Sequence, residues 1–486
     1  MTFDRQFFTD ALRRSYATVA DEVEVPLEIL EGALPTDLVG VLFRNGPGRL
    51  ERGGVRYGHW FDGDGMISRF DFQGSQILYR NRFVATRELV AEEHAGRILY
   101  RGFGTARPGG ILANALRMRF KNAANTNVIW HGGRLLALWE GGLPHALDVD
   151  DLRTHGRFNF GGRLLNHISR LDKWLTPELP FSAHPRICAE TGELFNFGTL
   201  LGAKSRLVLY HAQADGMLDP PVLLPLDALY FMHDFVLTKN HRVFYLNPVR
   251  FDVPRALLGL RTPVASLRER QTEATQILVL PRHAVAPARF FSAPPGFVFH
   301  LVNGYEDGNQ IIVDAMHMAS YPRTFAGDDA WTAVDREYPM PYLTRDVLDL
   351  DSGSVTREQR YSFGAELPRF DSRLVGKKYR YLWAIAACAS NEQFFTNIAK
   401  FDLERSEHLL RDLSPGQPGE PVFVPRGEAE DDGYVLTVSY RGDTHTSDLW
   451  ILDARTLATV CRARLPHHLP PGFHGTWVAK GHMFGA

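Results

Sequence analysis

The sequence predicts an all-β fold, a β-propeller of roughly seven blades forming one unit over residues 1–486, with helical and loop insertions capping one face. Two observations carry this expectation. Hairpin signals recur along the chain: a turn of Gly, Asn or Asp, one or two polar residues, then a short apolar strand. And four histidines far apart in the chain, His184, His233, His300 and His474, sit in matched surroundings, each with a phenylalanine one to three residues before it. Residues so distant can converge only where the fold brings many strands to one axis. Length agrees, since at about four strands per blade the chain suits about seven blades with long loops. Periodicity alone leaves the blade number open.

Taken in order, residues 1–24 read as an extension ahead of the propeller. Met1–Tyr16 mixes Asp4, Arg5, Asp10, Arg13 and Arg14 with apolar residues and has no apolar core segment, so no signal peptide is expected there. The clearest hairpin starts are GGRLLAL at 132–138, NHRVFYL at 240–246, GNQIIVD at 308–314 and DGYVLTV at 432–438. DLWILDA at 448–454 reads as a strand running into a turn.

Two stretches, about 105–123 and 251–262, break the strand rhythm and are the expected cap. In GGILANALRMRFKN at 109–122, the residues Ile111, Leu112, Ala115 and Leu116, with Ala123 beyond, approximate helical spacing. Arg117, Arg119 and Lys121 lie alongside. In VPRALLGL at 253–260, Leu257, Leu258 and Leu260 supply the apolar side chains and Arg261 follows. One reading is ordinary loop helices packed on the propeller. The other is a basic, apolar patch of Ile111, Leu112, Leu116, Leu257, Leu258 and Leu260 that rests on a membrane surface.

Composition narrows the classes. A hydrophobic fraction of 44% and an aromatic fraction of 12% suffice for a large core. The net charge is -2 with Lys and Arg scattered, which argues against a nucleic-acid partner. Cys188, Cys388 and Cys461 show neither CxxC nor paired spacing, and fit buried thiols in a reducing cytoplasm. No run of about 18 apolar residues occurs, so no spanning helix is expected. The expected location is the cytoplasm, with peripheral contact to the inner membrane.

The four histidines lie in FSAHP at 181–185, FMHDF at 231–235, FVFHL at 297–301 and GFHG at 472–475. Neutral imidazoles are good ligands for first-row transition metals. A single histidine in an apolar strand is ordinarily a satisfied core residue, but four in one context are not explained that way. Further motifs run in order: LFRNGPG at 42–48, HWFDGDGM at 59–66, NTN at 125–127, LLALWEGG at 135–142, GEPVFVPR at 419–426 and EDDG at 430–433. From about residue 25 onward the chain resembles the carotenoid cleavage oxygenase family, and within it is most similar to bacterial apocarotenoid oxygenases.

That resemblance implies seven blades and an Fe(II) centre held by His184, His233, His300 and His474, with O2 as co-substrate. It implies that Glu140, Glu366 and Glu420 accept the ligands' other ring N–H and fix the tautomer. A glutamate in an apolar strand is rarely buried unless paired, and Glu140 and Glu420 have such settings. Thr126 matches a position close to the metal that partly blocks one open coordination site. Phe61, Trp139, Phe231 and Phe299 are the expected lining of a substrate tunnel, and Leu367 stands where close relatives often place an aromatic. His131 and His241 lie in turns and are expected to be exposed. His467, His468 and His482 lack the matched context, and His59 belongs to a turn read as structural. Asp62 and Asp64 look like a small calcium loop, but no spaced glutamate follows, so calcium is not expected there.

Stilbene cleavers of the family typically carry a lysine just before the first of these glutamates. Here that position is Trp139, which favours an apolar polyene over a phenol. The expected reaction is cleavage of an apocarotenoid double bond to two carbonyl products, one a retinal-like aldehyde. The alternatives are a lignostilbene-type dioxygenase and a non-catalytic carotenoid-binding propeller, since fold alone does not define function.

Overall fold

The computed structural model describes residues 4–116, 120–202, 204–322, 339–387 and 394–483. Among them, seven antiparallel sheets of four or more strands form the blades of a propeller, and two short two-stranded ribbons decorate it. The expected hairpins are present. Gly132 and Gly133 turn between Asn127–His131 and Arg134–Leu138 with positive φ at both positions, which glycine adopts without steric cost. Strands Asn127–His131, Arg186–Ile187, Phe235–Leu237, Phe297–Asp307 and Ala365–Arg369 each open their own sheet and occupy one of its edges.

The ring is closed at two places. Glu28–Gly32 from the N-terminal side pairs with Thr459–Arg464 in the last blade. Gly475–Ala479 from the C-terminal side pairs with Gly40–Arg44 in the first. The core lies between blades rather than within them. Phe70 and Tyr79 of the first blade pack with Leu436, Leu449 and Ile451 of the last, and Leu138 of the second packs with Phe181 and Tyr210 of the third.

The first residues are not a trailing extension. A helix over Arg5–Ser15 is capped by Asp4, whose carboxylate accepts from Phe7 N–H. It buries Phe8 and Ala11, and Arg14 donates to the carbonyl of Gly442. A side chain at Gly442 would meet Ala11 Cβ at 2.4 Å, so this glycine is what lets the helix dock.

The cap also departs from expectation. The first segment is helical only over Gly110–Asn114, and the second over Val253–Leu257. Leu116 takes φ 56°, its N–H donates to the carbonyl of Leu257 at 2.7 Å, and the two segments are thereby joined. The buried guanidinium of Arg101 donates to the carbonyls of Asn114, Ala256 and Arg261. The helix ends because Ala115 is extended and Leu116 turns to positive φ to meet Leu257; further along, Lys121 is buried. Its ammonium lies 2.7 Å from Asp64 and 2.9 Å from Glu92, and it donates to Tyr57 Oη. Lys121 is therefore not a surface cation, and Arg117 and Arg119 lie outside the described residues. Leu112 is 93% exposed; Ile111, Leu116, Leu258 and Leu260 are also exposed, whereas Leu257 is only partly so. Among the described residues, no helix is long and apolar enough to cross a membrane.

Candidate metal centre

The four matched histidines meet. His184 and His233 stand just before the opening strands of the third and fourth blades, and His300 lies within that of the fifth. His474 stands just before the strand that closes the first. One ring nitrogen from each lies within 4.8 Å of the others. The Nε2 atoms of His184 and His233 are 2.8 Å apart. Two imidazoles at right angles on one ion, with bonds of about 2.1 Å, would place them about 3 Å apart.

In three of the four rings the other nitrogen faces a carboxylate. His300 Nδ1 lies 2.5 Å from Glu366 Oε2, and His474 Nδ1 lies 2.8 Å from Glu420 Oε1. His233 Nδ1 is 3.3 Å from Glu140 Oε1, and Ser182 Oγ donates to the other oxygen of that carboxylate. In those three rings Nε2 is left for the centre, and His300 Nε2 is buried with no hydrogen-bond partner among the described residues. Burial, reinforced by the neighbouring imidazoles, keeps His184 and His233 well below the ordinary histidine range. At His300 the Glu366 carboxylate outweighs burial and shifts the ring upward. Four mostly neutral, converging imidazoles with carboxylates behind three of them fit a first-row divalent metal.

Each glutamate is set differently. Glu366 follows Ala365 at the start of its strand, and a register shift there places Leu367 at φ 51°. Leu367 N–H thereby reaches Glu366 Oε2 at 2.5 Å. Glu420 is fully enclosed by donors: Arg44 Nη1 at 2.5 Å, Arg369 Nε at 3.2 Å and Gly475 N–H at 2.9 Å. Burial alone would raise its pKa, but Arg369, His474 and Arg44 prevail and hold the carboxyl well below the usual range. Glu140 has donors in Ser182 and the Ala183 N–H but no cation beside it, and burial pushes it up to about 8. The strand expected to carry Trp139 and Glu140 ends at Leu138, so pleat alternation does not apply to them. Both border the central cavity.

That cavity has a volume of about 790 Å³. Phe61, Trp139, Phe231, Phe299 and Thr126 all line it, as does Leu367. Sequence reasoning missed Phe103 and Phe473. Phe103 stacks between Phe61 and Phe231, at 5.9 and 6.0 Å between ring centres, and Phe473 meets Phe61 edge-on at 5.4 Å. A signal for Phe473 was available, since it immediately precedes His474. Phe103 is positioned by Asp62, whose carboxylate accepts from the N–H of Phe103 and Gly104 and from Thr105 Oγ1. Asp62 and Asp64 are thus occupied by protein groups. Thr126 Oγ1 donates to Asn125, and its carbonyl accepts from His474 N–H.

Two expectations about other histidines fail. His131 is buried and its Nε2 contacts the carbonyl of Gly192, while His241 is half-buried against Glu306 at 2.9 Å. His131 is covered by the turn that carries Gly192, and His241 by Glu306 on strand Phe297–Asp307 of the next blade. Cys188 and Cys461 are buried free thiols, and Cys388 lies outside the described residues.

Four histidines converging beside an aromatic cavity on a seven-bladed propeller make a candidate metal centre open to an apolar ligand. The family model for RPE65, retinal pigment epithelial membrane protein, matches residues 16–479. The chain is 36% identical to apocarotenoid-15,15'-oxygenase of Synechocystis, over 96% of this chain and 95% of that protein. It is 31% identical to isoeugenol monooxygenase of Pseudomonas putida, over 93% and 94% of the two chains. A cobalt-substituted Synechocystis apocarotenoid oxygenase structure superposes with a TM-score of 0.89 at 34% identity, covering 99% of this chain and 100% of that one. The protein belongs to the carotenoid cleavage oxygenase family.

Proposed function

We propose that the protein is an apocarotenoid cleavage dioxygenase that binds one Fe(II) through His184, His233, His300 and His474. The observation that carries this is the four-imidazole cluster opening onto a cavity walled by Phe61, Phe103, Trp139, Phe231 and Phe299. Bound iron supplies the capacity to activate O2 for cleavage of a carbon–carbon double bond into two carbonyls. The chain's own residues do the rest. Glu140, Glu366 and Glu420 orient the ligand rings. The aromatic walls hold a polyene by its faces and keep water from the reacting carbons. Thr126, beside His474, limits access on one side of the centre. The similarity to apocarotenoid-15,15'-oxygenase supports a retinal-like aldehyde as one product. Trp139, where stilbene cleavers place a lysine, leaves a phenol without a cationic partner.

The exposed leucines of the cap support peripheral contact with a membrane, from which a water-insoluble polyene would be drawn. The protein would then work from the cytoplasm at the inner membrane. The Fe(II)-loaded enzyme should cleave an apocarotenal to shorter aldehydes and leave a hydroxystilbene essentially untouched. Cleavage of the stilbene with none of any apocarotenoid would overturn the substrate reading.

A further inference from the structure

A second group of metal-ligating side chains lies on the propeller away from the central axis. Glu193 precedes strand Leu194–Leu200, and His211 lies on the adjacent strand Arg206–Ala212 of the third blade. His283 sits in the turn after Thr275–Pro281, in the fourth blade. One ligand atom from each lies within 4.8 Å of the others.

The geometry is that of a prepared site. Asp219 Oδ2 lies 2.7 Å from His211 Nδ1, which leaves Nε2 pointing to the cluster. Thr191 Oγ1 holds Glu193 Oε2 at 2.7 Å, while Glu193 Oε1 lies 3.0 Å from His211 Nε2. Burial opposes charge on Glu193, but the bonds from Thr191 and His211 outweigh it and keep the carboxylate ionised. The rings of His211 and His283 stand at 88° with centres 5.4 Å apart, and both pack on Phe195. The ring of His283 is exposed and makes no hydrogen bond among the described residues. Two cations lie near: Arg282, whose Nη2 stays 3.9 Å from Glu193 Oε2 and whose guanidinium stacks over Phe195 at 4.7 Å, and the buried Arg242, which donates to the carbonyls of Pro281 and Ala284.

We propose that Glu193, His211 and His283 form a second metal site, separate from the four-histidine centre, that takes a borderline divalent cation such as Zn(II) and ties the third blade to the fourth. Two imidazoles and one carboxylate match the donor preference of Zn(II), with water completing the shell. Binding displaces the proton that His211 Nε2 shares with Glu193. Because the ligands come from two blades, the ion stabilises the folded chain over the unfolded one.

The test is uptake of Zn(II) by the metal-free, full-length protein, measured by titration and metal analysis. Wild type should take up two equivalents, whereas His283→Ala and Glu193→Gln should take up one. Both variants, reloaded with Fe(II), should keep wild-type oxygenase activity. His283 is exposed, so its replacement leaves folding intact. Excess Zn(II) should raise the melting temperature further in wild type than in His283→Ala. A single equivalent in wild type, or a second equivalent that survives in His283→Ala, would overturn the site.

Discussion

Arg186 Nη2 donates to both carboxylate oxygens of Asp234, at 2.8 and 2.7 Å, and this pair knits three of the metal-ligand strands together. Arg186 follows His184 by two residues, Asp234 follows His233, and Asp234 Oδ2 accepts from Leu301 N–H beside His300. Arg186 also donates to the carbonyls of Phe235 and Leu301. Removing one partner of a buried pair typically costs about 3–5 kcal/mol, because the other charge is stranded. Asp234→Ala should fall near the low end, since 17% of the Arg186 side chain stays exposed. A lowered urea midpoint together with reduced iron content checks this. Unchanged iron retention would show that the pair stabilises the blades without positioning the ligands.

His300 is the ligand whose replacement isolates the metal site most cleanly. Its Nε2 is buried without a hydrogen-bond partner among the described residues, so His300→Ala removes an atom free for the metal, together with the Nδ1 contact to Glu366. Iron content and cleavage activity should be lost together, while the secondary structure persists by circular dichroism. Iron retained at the wild-type level would remove His300 from the ligand set.

The three glutamates should not be equivalent. Loss of an outer partner commonly costs about 10–100-fold in metal affinity or activity. Glu420→Gln should be the most damaging, because Arg44 and Arg369 lose their shared counter-charge as well as His474 its acceptor. Glu366→Gln should follow, given the 2.5 Å contact to His300. Glu140→Gln should be mildest, since its carboxylate stands 3.3 Å from His233. Iron dissociation rates for the three variants give the order directly.

Trp139 should set the substrate class. Its position just past the strand end is maintained by Gly141 and Gly142, where an added Cβ would come within 3.0 and 3.3 Å of the indole ring. A lysine here would place a charge against hydrocarbon, which is costly, and offer a cation to a phenol. Trp139→Lys should lower kcat/KM for an apocarotenal and admit slow turnover of a hydroxystilbene. Equal kcat/KM for the apocarotenal in both forms would show that the ring does not contact the chain of the substrate.

The four clustered histidines were legible because each stands at or within a blade-edge strand, with an apolar context that repeats four times. Phe61, Trp139, Phe231 and Phe299 were legible for the same reason, since each lies near a recognisable motif. What escaped was whatever depends on pairing across the ring. Arg186 with Asp234, and Arg44 with Glu420, are separated by 48 and 376 residues, and no local pattern joins them. A charged residue directly after His233 in an apolar stretch was the one available hint. The cap helix was overextended because periodicity cannot see that Leu116 takes positive φ to donate to Leu257, 141 residues further along. The N-terminal helix was underrated because its docking depends on Gly442, far along the chain.

The cap segments lead to the last prediction. Leu112, Leu258 and Leu260 are exposed on two segments that Arg101 and the Leu116–Leu257 hydrogen bond hold together. Ala256 and Val253 of the second segment line the cavity, which puts this segment at its wall. Each leucine side chain moved from water into lipid contributes on the order of 1.5–3 kcal/mol when fully buried. Lys121 is spent inside the protein, so anionic lipid should matter less than the apolar surface itself. The triple variant Leu112→Ser, Leu258→Ser, Leu260→Ser should reduce co-sedimentation with neutral liposomes by at least about tenfold. It should slow cleavage of apocarotenal embedded in those liposomes while leaving turnover of detergent-dispersed substrate near wild type. Undiminished co-sedimentation, or none in wild type, would make these leucines packing elements of the cap and remove the membrane from the account.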